Sequence, residues 1–161
     1  MDSLPLQNPS VGTHIFRAAT PLDDGNTILA SDGLSISKWS INKGPLENVT
    51  FKGDSEHLAE IQSVSISPDG QLVATVAENG TIIIWQAGSG EISCGPIEGH
   101  SDDIYGLGFS PDSTMVVFSC RDQKVRIWSA ETGQSIHGPM EGHEDGVVCV
   151  CFRCMLTCSE V

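Results

Sequence analysis

Six cysteines and five histidines are the side chains of this 161-residue chain best suited to chemistry, and their spacing raises two distinct possibilities. Cys149, Cys151, Cys154 and Cys158 crowd into the last thirteen residues, as a zinc or redox module would require. Structural zinc takes its thiolate and imidazole ligands from two separate knuckles, each with two to four residues between its members. Cys154 and Cys158 supply one such knuckle, while Cys149 and Cys151 would share one face of a strand, with His143 as the nearest imidazole. Independently, His14, His57, His100 and His143 recur every 43 residues, which would suggest a ring of metal ligands if the fold drew them together. A period that long places each in its own structural unit, so the reading adopted is four hydrogen-bonded structural imidazoles and no resident metal or cofactor. His137 falls outside the series and is given no role. Asp23-Asp24 and Asp102-Asp103 are adjacent pairs in loop contexts, whereas acid–base catalysis needs carboxylates that converge across a substrate. No glycine-rich phosphate loop, His-Glu-x-x-His or Gly-x-Ser-x-Gly is present. The expectation is a protein without catalytic residues.

Charge narrows the function further. Twenty-one acidic residues stand against eight basic ones, a net charge of -13, and the basic residues are scattered. Binding to a phosphate backbone needs a clustered positive surface, so nucleic acid is not an expected partner. Anionic membranes would be repelled, and no run approaches the roughly 20 apolar residues of a spanning helix. The start, Met-Asp-Ser-Leu-Pro-Leu, has neither a basic region nor an apolar stretch of the secretory kind, which points to the cytoplasm and to reduced cysteines.

The elements that position these residues are written as a repeat. Residues 57–99 and 100–142 align without a gap and share 14 of 43 columns, among them His57/His100, Ile61/Ile104, Ser-Pro-Asp at 67–69 and 110–112, Trp85/Trp128 and a closing Gly-Pro-x-Glu-Gly. Ser67-Pro68-Asp69-Gly70 is turn chemistry, because proline presets φ and glycine accepts a positive one; it separates two strand-like runs. Glu78-Asn79-Gly80 is a second turn and leads into Thr-Ile-Ile-Ile-Trp, a β-branched run suited to a strand buried on both faces. Glu-Ile-Ser-Cys-Gly-Pro supplies a fourth strand. The expected fold class is therefore all-β, built of four-stranded antiparallel blades of β-propeller type.

The Gly-His opening of a unit, the Ser-Pro-Asp turn and the Ile-Trp 28 residues after the histidine resemble the WD-repeat (β-transducin-like) family, in a style similar to long fungal WD-repeat arrays. The resemblance implies a hydrogen-bonded network of histidine, hydroxyl, aspartate and tryptophan in each blade. Here it falls on His57, Thr75, Asn79 and Trp85, then on His100, Asp122 and Trp128 with Phe118 in the hydroxyl position and Ser119 beside it; His143 would open the next set. Asn79 accepts a hydrogen bond without charge assistance, a link weaker by about 1 kcal/mol. The resemblance also implies that partners touch the residues three and five places after the blade histidine and the one before the turn aspartate: Glu60, Gln62 and Glu78, then Asp103, Tyr105 and Arg121.

Extending the register divides the chain into an N-terminal arm (1–12), a divergent blade (13–56), two blades (57–99 and 100–142) and the start of a further one (143–161). In the last, Val147, Val150 and Phe152 keep the first-strand pattern, Cys149 and Cys151 occupy small-residue columns, and Arg153-Cys154-Met155-Leu156 replaces the turn. A ring needs about 4–8 blades, so the expectation is a truncated piece of a longer propeller, or a half-propeller that self-associates or is completed by further blades. Its expected function is a non-catalytic scaffold for protein or peptide partners. The alternatives are a sensor or substrate-receptor propeller in a signalling or ubiquitin-ligase assembly, and a zinc-binding cysteine tail.

Overall fold

The computed structural model describes residues 18–21, 26–31, 36–40, 44–45 and 59–152. Within them the strands form three antiparallel sheets of four, each a meander in chain order. The first holds β1 (Ala18–Pro21), β2 (Thr27–Ser31), β3 (Ile36–Ser40) and β4 (Gly44–Pro45); the second β5 (Ile61–Ile66), β6 (Leu72–Ala77), β7 (Ile82–Gln86) and β8 (Ile92–Ile97); the third β9 (Ile104–Phe109), β10 (Met115–Cys120), β11 (Val125–Ser129) and β12 (Ser135–Met140).

Side-chain chemistry builds the β5–β6 and β9–β10 turns in the same way. The Ser67 hydroxyl donates to the Asp69 carboxylate (2.5 Å) and accepts from Leu72 N (2.8 Å), while Asp69 also accepts from Gln71 N (3.0 Å). Ser110, Asp112, Met115 and Thr114 repeat the arrangement, at 2.5 Å for the hydroxyl–carboxylate bond. Each hydroxyl holds its carboxyl below the usual aspartate range, because it bonds the charged form. The backbone follows the repeat even where the residue does not: Gly70 and Gly80 have φ of 71° and 77°, and their counterparts Ser113 and Gln123 are held at 63° and 68°. A left-handed conformation costs a non-glycine residue about 1–2 kcal/mol. Gln123→Gly is therefore expected to raise unfolding stability by up to about 1 kcal/mol, since the strain relieved exceeds the added unfolded-state entropy. Ser113→Gly should gain less, because Ser113 Oγ accepts a bond from Asp69 N in the neighbouring sheet (3.2 Å). Urea titration of both variants checks the order.

The sheets stack face to face. Ala74, Val76, Ile82, Ile84 and Ile97 of the second sheet pack on Ile104, Phe109, Val116, Phe118 and Trp128 of the third. Val73, Ile83 and Trp85 turn the other way, onto Leu29 and Ile36 of the first. The strand β7 is thus buried on both faces, as its unbroken apolar run requires. β1, β5 and β9 lie side by side as the innermost strands.

Beyond the third sheet the expected strand at 147–152 follows the right path without joining a ladder. Val147 N donates to Cys120 O (3.0 Å), and a Cβ on Gly106 would fall 2.9 Å from Val150 N and 3.2 Å from Cys149 Cα. The segment therefore lies close along β9, and at Gly106 it and the Ser119 hydroxyl together leave no room for a side chain. A ladder needs a second strand, and the residues that would turn back to make one lie outside those described. Ile127 and Met140, in the columns of Ile84 and Ile97, are correspondingly less covered: Met140 is 43% exposed and Ile97 7%.

Candidate functional site

In the second sheet the Trp85 indole donates to Thr75 Oγ1 (2.8 Å), and the Thr75 hydroxyl donates to Ile83 O (3.2 Å), both residues being buried. Asn79 Oδ1 accepts from Thr81 N (3.1 Å) within the exposed turn. His57 lies outside the described residues, so the link to Asn79 is not in view.

The third sheet shows how the network adapts when a member is missing. His100 Nδ1 lies 3.0 Å from Asp122 Oδ2, with side chains 0% and 8% exposed. Asp122 Oδ1 also accepts from Lys124 N (3.1 Å). Burial pushes the His100 pKa down against the opposing pull of Asp122, which makes the imidazole neutral; since the carboxylate only accepts, the proton sits on Nδ1. Burial acts to raise the Asp122 pKa, but contacts with His100 and Cys120 outweigh it and the net shift is downward. Phe118 stands where Thr75 stands in the sister sheet and packs edge-on to Trp128, with ring centroids 5.2 Å apart; Trp128 in turn lies 5.6 Å from the His100 ring. The hydroxyl relay is thus replaced by aromatic packing, and His100 Nε2 is left buried without a partner. Ser119 does not stand in for the missing hydroxyl: alternation along β10 turns it to the opposite face, where its Oγ is also buried without a partner.

Cys120 belongs to this cluster and was not among the residues singled out from sequence. Its Sγ donates to Asp102 O (3.2 Å) and accepts from Asp122 N (3.3 Å), and burial pushes the thiol pKa up to about 11. The available signal was Cys120-x-Asp122, against Ala77-x-Asn79 in the sister unit. His143 is exposed and lines a shallow cavity of about 260 Å³ with Asp122, Gln123, Lys124 and Glu141.

The six candidate partner-binding residues form two equivalent groups at one end of the sheets. Glu78 N donates to Glu60 O (2.9 Å) and Arg121 N to Asp103 O (2.9 Å), so the same backbone bridge closes both groups. Gln62 Nε2 donates to Glu78 Oε1 (2.8 Å). Arg121 Nη1 is 3.8 Å from Asp103 Oδ2, with both side chains substantially exposed, and Tyr105 is 43% exposed. Gly80 brings the groups together: a Cβ there would lie 3.5 Å from His100 O and 3.8 Å from Asp102 O, so the turn carrying Glu78 abuts the loop carrying Asp103.

The family model "WD domain, G-beta repeat" matches residues 48–86 and 92–129. Among solved structures, the chain is similar to U3-55K, with a TM-score of 0.73 at 26% identity over 84% of this chain and 42% of that one. It is similar to the RRP9 WD40 repeats, with a TM-score of 0.73 at 24% identity over 84% and 41%. The computationally designed Ika4 protein gives 0.69 at 24% identity over 91% and 84%. The chain spans about two fifths of the U3-55K and RRP9 chains. No curated protein matches its sequence.

Proposed function

From the premise that the chain belongs to the WD-repeat family, whose propellers generally serve as protein-interaction scaffolds, we propose that it binds a protein or peptide without catalysis, through the rim of Glu60, Gln62, Glu78, Asp103, Tyr105 and Arg121. One observation carries this reading: the two backbone bridges of equal length that close Glu60–Glu78 and Asp103–Arg121 at one end of adjacent sheets. Three of the six are carboxylates on a chain of net charge -13, which selects a basic segment by complementarity. Tyr105 and Arg121 are of the types that dominate binding energy at interfaces, and both are accessible. The free thiols Cys94, Cys120, Cys149 and Cys151 suit the reducing cytosol. Further blades or a second copy complete the ring, a reading favoured by the uncovered Met140.

The test is selection from peptide libraries of matched length, one rich in Lys and Arg and one in Asp and Glu, followed by affinity measurement. Basic peptides should be retained, and Tyr105→Ala with Arg121→Ala should weaken them about tenfold or more at an unchanged melting temperature. Retention of acidic peptides, or affinity indifferent to both substitutions, would overturn the proposal.

A further inference from the structure

We propose that His100, Cys120 and Asp122, with the main-chain oxygen of Asp102, form a binding site for a zinc-type transition-metal dication in the third sheet. The site goes beyond partner binding and does not depend on it. The three side chains come from the loop before β9, the end of β10 and the β10–β11 turn, and their donor atoms lie within 4.8 Å of one another. Tetrahedral zinc with ligands at 2.0–2.3 Å sets edges of about 3.3 Å between nitrogen and oxygen donors and about 3.5 Å between sulfur and oxygen. Two such edges stand within a few tenths of an ångström of those values: His100 Nδ1 to Asp122 Oδ2 at 3.0 Å, and Cys120 Sγ to Asp102 O at 3.2 Å. The ion takes the place of the thiol proton directed at Asp102 O, which is released, and of the Nδ1 proton, which His100 carries on Nε2 instead, so the imidazole stays neutral and one net proton leaves.

Charge closes in the same way. A carboxylate, a thiolate and a neutral imidazole balance a dication, so no net charge is buried. The ligands are held from outside the site, Asp122 by Lys124 N (3.1 Å) and His100 by the Trp128 ring, the support that metal ligands need. A mixed sulfur, nitrogen and oxygen set suits zinc or cobalt rather than magnesium or calcium. With His100 and Cys120 buried, the site is a structural one. The sister unit has Ala77 and Asn79 in the equivalent columns, so the site is particular to the third sheet and not a property of the repeat.

The probe is cobalt(II), added to the full chain with Cys149, Cys151, Cys154 and Cys158 replaced by serine so that tail thiols cannot contribute. One equivalent should produce a near-ultraviolet thiolate-to-cobalt charge-transfer band with the visible bands of four-coordinate cobalt, and zinc should abolish both. Cys120→Ala restores the residue of the sister column and keeps the fold, as its urea transition will show; in it the charge-transfer band should vanish. Asp122→Asn should weaken binding tenfold or more while retaining an acceptor for His100. Absence of the band in the parent chain, or its persistence in Cys120→Ala, would overturn the site.

Discussion

Trp85→Ala is expected to lower unfolding stability by about 3–5 kcal/mol, a large part of the 5–15 kcal/mol available to a domain. Trp85 is 2% exposed and packs with Leu29 and Ile36 across the first interface, so truncation opens a cavity between two sheets. It also removes the indole donor from Thr75 Oγ1, a group at 0% exposure. Trp85→Phe separates the two effects: it keeps most of the ring and deletes the donor, and should cost about 1–2 kcal/mol. Urea unfolding followed by far-ultraviolet circular dichroism reads both. Equal losses in the two variants would mean that the hydrogen bond, and not the packing, dominates this column.

Asp122→Ala should cost about 2–3 kcal/mol, because it strands the Nδ1 proton of a fully buried imidazole and removes the acceptor of Lys124 N. The same pair sets the response to acid. Both folded-state pKa values lie below their ordinary values of 6.5 and 3.8, so both groups contribute stability that is present above those values and lost as pH falls through the folded ones. Stability should hold from pH 8 to about 6.5 and then fall, first through His100 and at lower pH through Asp122. In Asp122→Ala the second loss should disappear, while the first grows, since the carboxylate that favoured protonation of His100 is gone. A stability that rises on going from pH 7 to pH 5.5 would show His100 protonated in the folded state and would contradict the assignment of its proton.

The fold was legible because the repeat punctuates itself. Ser-Pro-Asp turns and Ile-Trp strand ends appear at a fixed spacing, and a turn whose hydroxyl bonds its own aspartate is decided within five residues. Thr75 with Trp85, and His100 with Asp122, are pairs that the resemblance to the WD-repeat family implies at those positions. What escaped is what depends on the neighbouring sheet. Phe118 reads as a defect in a hydroxyl column, yet it fills the space against Trp128; only packing reveals that the relay has been exchanged for aromatic contact. Ser119, the hydroxyl beside Phe118 in the chain, is sent to the other face by period-two alternation. Cys120 is hard to read from sequence because two of its partners, Asp102 O and Asp122 N, are backbone atoms, which leave no mark in the side-chain pattern. The strand pattern at Val147, Val150 and Phe152 was equally readable, but a ladder requires a partner strand that the pattern alone cannot supply.

Hydrogen–deuterium exchange on the chain saturated with a retained basic peptide tests the central claim most directly. The account predicts slowed exchange in the segments carrying Glu60 to Gln62, Glu78, Asp103 to Tyr105 and Arg121, and no change at the Ser67–Gly70 and Ser110–Ser113 turns at the opposite end. Protection confined to those turns, or spread evenly over all three sheets, would contradict a partner-binding rim at this end of the propeller.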